Sequence, residues 1–174
     1  MTTNQKYEIT EIAHEKYPFL HRIRALRDIG SEVKTGTLGG FVESEDNLSF
    51  RPGDDAWLFD DAIACNDAYI RGATLTNHAR ASGFAVIVYN QDTGGVPMLS
   101  GQSAVYGRVS GDVRLTGSAL VISGEEIQND TPDTLVISGR GRSVIRDDSR
   151  DELAPQTGQP ETSKAKIKER QVER

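Results

Sequence analysis

The sequence predicts an all-β chain wound as a single-stranded parallel β-helix, and three observations predict it. Alanines recur at a period of six, at Ala56, Ala62 and Ala68, and after one five-residue step at Ala73, Ala79 and Ala85. Two residues after each comes Leu58, Ala64, Ile70, Leu75, Ala81 or Ile87, usually aliphatic. The five-residue step also sets alanines seventeen apart above one another, Ala56 under Ala73, Ala62 under Ala79 and Ala68 under Ala85. A period of six suits neither a 3.6-residue helix nor an alternating strand. It suits a solenoid of very short strands and tight corners, three hexads to a triangular coil. The small residue fits the corner, and the aliphatic residue points to the axis. As in hexapeptide solenoids as a group, the hexad period points to a left-handed coil. The usual right-handed rule concerns crossovers onto one sheet, not corners between faces.

Composition agrees with a thin axial core. Only 36% of the 174 residues are hydrophobic, and mean hydropathy is −0.48. A formal net charge of −6 argues against binding to nucleic-acid backbones or anionic membranes. Cys65 is the single cysteine, which rules out an intrachain disulfide, and its position predicts an outward-facing thiol. With no apolar run of signal or membrane-spanning length, the expected location is cytoplasmic.

Three segments follow: an N-terminal β element and cap over 1–54, the solenoid over 55–146, and a charged linker or tail over 147–174. Tyr7–Ile12 and Leu20–Arg27 alternate as strands, with Pro18 marking the break between them. They predict a small antiparallel hairpin carrying Arg22, Arg24 and Arg27 on its polar side. Leu38-Gly39-Gly40-Phe41-Val42 follows, its paired glycines indicating positive φ or close backbone approach. About five coils, roughly 24 Å of stacked strands, fit between Asp55 and Ile145. The period degrades over Asn90–Gly101, which reads either as a surface loop or as two irregular faces. It returns with Ala104, Val113 and Ala119, and with Leu115 and Val121 inward. Leu120-Val121-Ile122-Ser123-Gly124 recurs as Leu135-Val136-Ile137-Ser138-Gly139. After Pro155 and Pro160, Ser163 is placed to cap a short helix over 164–173.

The run Leu20-His21-Arg22-Ile23-Arg24-Ala25-Leu26, then Leu38-Gly39-Gly40-Phe41-Val42-Glu43-Ser44-Glu45, then Asn47-Leu48-Ser49 and Ala56-Trp57 with the alanine hexads resembles the YdcK-type family. The resemblance covers roughly residues 7–88 well and 101–124 loosely. It implies a small N-terminal β element capping a single-stranded left-handed β-helix, in bacterial and prophage-borne proteins. It carries over no catalytic residues. Its prophage setting, with the acidity of the chain, suggests one version of function: an inhibitor occupying the nucleic-acid-binding groove of a host defence protein.

Residues that carry chemistry are few. A hexapeptide acyltransferase using coenzyme A needs a histidine base beside a groove. His78 is the only histidine of the helical part, and the seventeen-residue offset sets it above Asp61. We expect that pair to be a surface contact, with no catalytic residue, no cofactor and no metal site. Asp55, Asp61 and Asp67 fall on three different edges of one coil, where they would turn corners by Asx hydrogen bonds rather than gather around a cation. Outward apolar residues say more: Tyr69, Val86, Val88 and Val105 would form one stacked stripe, an oligomer or partner face. Trp57 and Phe59 would lie outward beneath the hairpin. Glu125, Glu126, Asp130 and Asp133 would give an acidic surface. The expected function is a non-enzymatic protein-binding or scaffold module, a homo-oligomer with a protein partner. The alternative is the acyltransferase.

Overall fold

A computed structural model of the chain describes residues 3–139 and 142–145. It is all-β: among the described residues there is no α-helix, only a three-residue 3₁₀ turn at Glu45–Asn47. Among them no helix is long and apolar enough to cross a membrane. Strands β1 (Tyr7–Ala13) and β2 (His21–Ala25) form the expected antiparallel hairpin, and β3 (Leu38–Val42) adds antiparallel to β2.

Four coils of three strands each then wind upward. They are β4 (Trp57–Leu58), β5 (Ile63–Ala64) and β6 (Tyr69–Arg71); β7 (Thr74–Leu75), β8 (Arg80–Ala81) and β9 (Val86–Val88); β10 (Met98–Leu99), β11 (Ala104–Val105) and β12 (Arg108–Ser110); and β13 (Val113–Leu115), β14 (Leu120–Val121) and β15 (Glu126–Gln128). β16 (Thr134–Ile137) begins a further coil and turns back as β17 (Arg142–Ile145), antiparallel to it. The strands stack into three sheets, in the orders β17-β16-β13-β10-β7-β4, β1-β2-β3-β5-β8-β11-β14 and β15-β12-β9-β6. We call these the first, second and third faces.

One inward column per face makes the core. Leu58, Leu75, Leu99, Leu115 and Ile137 stack on the first face, and Val42, Ala64, Ala81, Val105 and Val121 on the second. Leu48, Ile70, Ile87, Val109 and Ile127 stack on the third. All fifteen are buried. The seventeen-residue offset holds for the first pair of coils, where Leu58 meets Leu75, Ala64 meets Ala81 and Ile70 meets Ile87. The parallel stack starts earlier than residue 55, because β3 is parallel to β5 and Leu48 bridges to Ile70.

Several expectations need correction. Val105 is not on an outward stripe. It is fully buried between Ala81 and Val121. Ser103, not Ala104, takes the small corner position: it is buried and its hydroxyl donates to the Ser100 carbonyl at 2.9 Å. Within Asn90–Gly101, the loop ends at Pro97 and the regular strand β10 follows. The two copies of the Leu-Val-Ile-Ser-Gly run lie on different faces, with Val121 inward in one and Ile137 inward in the other. The tail over 147–174 and its helix lie outside the described residues.

The corners are turned one residue earlier than the Asp series suggests. Asp60, Asn66 and Asn77 adopt left-handed φ of +56°, +57° and +57°, which short polar side chains tolerate better than others. Each side chain then accepts a hydrogen bond from the coil above: Asp60 Oδ2 from Asn77 N at 3.0 Å, Asn66 Oδ1 from Gly83 N and Asn77 Oδ1 from Gly101 N, both at 3.1 Å. Gly101 continues this column at φ +64°, where a Cβ would come within 2.9 Å of the Gly117 backbone.

The N-terminal sheet is clamped to the first coil by polar side chains with backbone partners. Gly40 allows β3 to lie against the Ala62 carbonyl, and a Cβ on Gly39 would meet Leu58 O and the Trp57 ring, both at 2.7 Å. Asn47, fully buried, donates to the carbonyls of Asn66 and Ala68 and accepts from the Glu43 and Ser44 amides. Lys6 and Tyr7 reach in beside it: Lys6 Nζ donates to Ser49 O at 2.8 Å, and the Tyr7 hydroxyl to Leu48 O at 2.7 Å. Trp57 is buried at this end, packing edge-on against Tyr7, while Phe59 is half-buried.

Candidate interaction surface

His78 is exposed at the second coil, and its backbone amide donates to Gly101 O at 2.9 Å. Asp61 does sit one coil below, since Ile63 and Arg80 are register partners two residues further on. Its carboxylate, however, is paired with Arg22 at 2.8 Å rather than with His78. The same guanidinium donates to the carbonyls of Gly39 and Asp60 and lies over the Phe41 ring, so Asp61 completes the seam with β2. His14 is likewise structural, its Nδ1 accepting from the Lys16 and Tyr17 amides.

Cys65 leaves the solenoid core outward, as its position predicts, but it does not reach solvent. Leu20 and Phe41 of the N-terminal element bury it together with Ile63. Burial pushes the thiol pKa up, and Glu43 adds to the effect. The thiolate needed for nucleophilic or redox chemistry is thereby disfavoured. Among the described residues no group of three or more His, Cys, Asp or Glu is placed to hold a metal ion.

The third face does not carry the expected apolar stripe. Tyr69 and Val86 are half-buried neighbours, but Arg108 and Glu126 continue their column. Val88 stands between Arg71 and Ser110 in the next one. Arg71 lies over the Tyr89 ring, covering part of this surface. Of the acidic group, Glu126 and Asp130 are exposed while Glu125 and Asp133 are half-buried. Asp130 is held by the side-chain amides of Asn90 and Gln128. Glu125 Oε1 accepts the Ile122 amide at 3.1 Å, closing that position of the last strand on the second face.

On the solenoid, three exposed apolar residues lie near where the second face turns into the third. Leu120 and Ile122 point out from β14 and the corner after it, at 53% and 56% exposure. Ile122 stands one coil above Tyr106, because Val121 pairs with Val105 and the Tyr106 amide donates to Val121 O. Tyr106 lies against the Gly83 corner, and the next residue, Phe84, is 74% exposed. Arg80 reaches across to the Tyr106 hydroxyl at 3.3 Å. Arg108 and Glu126, both exposed, flank the strip on the third face. Sequence reasoning set Val121 inward but read no surface from Leu120 and Ile122 on either side of it.

The strip has the anatomy of a protein contact. An apolar centre holding Phe and Tyr carries an Arg hydrogen-bonded to the Tyr hydroxyl, with charged residues of both signs at its edge. It sits on strands whose corners are tied to their neighbours, so it is presented as a rigid surface. Comparison with protein-family models and with curated proteins finds no match to this chain.

Proposed function

We propose that the chain is a non-enzymatic protein-binding or scaffold module, acting in the cytoplasm, whose contact surface is the Phe84–Tyr106–Leu120–Ile122 strip. The observation that carries this reading is the exposure of three large apolar side chains, Phe84, Leu120 and Ile122, around the corner between the second and third faces. Isolated exposed apolar residues are ordinary, whereas a contiguous group with a charged rim marks association. The resemblance to YdcK-type proteins extends the proposal to a phage-encoded inhibitor of a host defence protein, the acidic Glu126 flanking the strip on the third face.

A photo-crosslinking side chain placed at Ile122, with Met98 on the first face as the comparison, tests the reading in the native host. Both positions are exposed, at 56% and 40%. The expected result is an adduct of one discrete mass from position 122 and none of that mass from position 98. Equal yields from both positions, or no adduct at 122, would remove the strip as the contact surface.

A further inference from the structure

We infer that this chain's own segment 164–168, which lies outside the described residues, closes the open upper edge of the third face by pairing as a further strand with β15. On the first face the last coil is sealed, because β17 turns back antiparallel along β16. The third face has no such cover among the described residues, and β15 is its last strand. The pattern below fixes which amides point at a cover. Val86 N donates up to Gly107 O and Arg108 N up to Glu125 O, at 3.0 and 2.9 Å, so the outward residue of each strand serves the coil above it. Glu126 and Gln128 hold the matching outward positions of β15. The axial columns open at the same end. Ile127 and Ile137 are 5% and 7% exposed, whereas the other thirteen column residues are at most 1% exposed. An uncovered edge of this kind is a template for an extended chain.

The segment matches the edge in pattern, charge and reach. Lys164-Ala165-Lys166-Ile167-Lys168 is the one run of 146–174 in which apolar and basic residues strictly alternate, the period of a strand with one face on a core. In the helix that Ser163 would cap, Ala165 and Ile167 would point to opposite sides. With Ile167 set on Ile127, Lys166 and Lys168 stand over Glu126 and Gln128 whichever way the segment runs. The outward column then reads Arg108, Glu126 and a lysine, each charge beside its opposite. Glu126 and Asp130 are exposed at this end, and from Glu161 onward the chain carries five basic and three acidic residues. Reach is ample. Ile145 pairs with Thr134, so β17 delivers the chain to the corner where the third and first faces meet. The eighteen residues 146–163 follow, and at roughly 3.3 Å each they outspan any face of the coil. The same tether raises the local concentration of the segment to about the millimolar range, which a five-residue strand needs.

Hydrogen exchange of the full chain, followed residue by residue by NMR, tests the closure. The Glu126 and Gln128 amides should exchange at least about tenfold more slowly than in Ile167→Asp, which sets a carboxylate on the axial column. Lys166→Glu/Lys168→Glu should release the same amides, because like charges then oppose Glu126. Adding Glu126→Lys to that double variant should restore slow exchange at Gln128, which a changed tail composition alone cannot do. Every substitution lies in the segment or, at 126, on the exposed side of β15. The Ile127 amide, which faces β12, reports that the solenoid stays folded in each variant. Fast exchange at 126 and 128 in the unmodified chain overturns the inference. So does slow exchange that survives both segment variants, or a charge reversal that fails to restore it. Protection that grows with protein concentration also overturns it, since the cover would then come from another chain.

Discussion

Arg22 and Asp61 meet at 2.8 Å across the seam between the N-terminal sheet and the first corner of the solenoid. The pair is one part of a larger anchor. Arg22 Nη1 donates to Gly39 O and Asp60 O, both at 2.9 Å, and the guanidinium carbon is 4.3 Å from the centre of the Phe41 ring. A planar fork serves three acceptors and a ring face together, which an ammonium cannot. The ion pair itself is partly exposed, with the two side chains 26% and 47% accessible, so it adds little on its own.

Arg22→Ala should therefore lower unfolding stability by about 1–3 kcal/mol, mostly through the lost carbonyl bonds and ring contact. Arg22→Lys should recover less than half of that loss. Urea midpoints of the three proteins check this, and a midpoint unchanged in Arg22→Ala would show that the seam does not depend on Arg22.

Lys6 should make stability rise with pH above about 8, opposed by Cys65 once the unfolded thiol ionises near its ordinary value of 9.0 and by Tyr7 above about 10. Burial lowers the Lys6 ammonium from 10.5 to about 8, partly opposed by Asp54. Between those values the folded chain has released a proton that the unfolded chain keeps, so raising the pH favours folding. Burial pushes the Tyr7 hydroxyl well above its usual range, with Glu45 adding to the shift. Above its ordinary pKa of 10.0 only the unfolded chain ionises there, and stability declines. Lys6→Met should flatten the rise and leave the decline. An equal rise in that variant would mean that another group is responsible.

The early coils were legible because each corner carried an alanine and each axial position an aliphatic at fixed distance, from Ala56 to Ile87. The third coil hid its register for a physical reason. Ile87 follows Ala81 by six residues, whereas Val109 follows Val105 by four, because the corner there shrinks to Tyr106 and Gly107. Counting hexads from Ala104 slips the frame by one, and a one-residue slip exchanges inside for outside. Ser103 added to the difficulty, since its hydroxyl is hidden by a local bond to Ser100 O. The candidate surface was less legible still. Leu120 and Leu135 open identical five-residue runs, and only the three-dimensional register leaves Ile122 exposed while its counterpart Ile137 fills the core.

Asn77 joins three coils at one corner, donating its amide to Asp60 Oδ2 and accepting the Gly101 amide. Asn77→Gly keeps the left-handed backbone of φ +57° but loses the side-chain acceptor. Asn77→Ala loses the acceptor and strains the backbone as well. The Ala variant should be less stable by about 1–2 kcal/mol, and the Gly variant should fall between it and the parent. A chemical denaturation series checks the order; an Ala variant as stable as the Gly one would count against the corner geometry.

Val86 and Val105 make the sharpest test of the register, because sequence periodicity treats both as outward and the structure separates them. Val86 is half-buried on the third face, with Arg108 as its outward neighbour. Val105 is fully buried between Ala81 and Val121. A lysine at position 86 can run its stem along the strand surface and keep its ammonium in water, so Val86→Lys should change stability by less than about 1 kcal/mol. A lysine at position 105 has no such route. It either carries an amine into an aliphatic column or forces the strand apart, and Val105→Lys should cost more than about 3 kcal/mol. Val105→Ile, which keeps the site apolar while enlarging the side chain by one methylene, should cost no more than about 3 kcal/mol and leave the protein folded. Thermal melts of the three variants read the difference. Equal losses at 86 and 105 would return Val105 to the surface and undo the register on which the Arg108–Glu126 column rests.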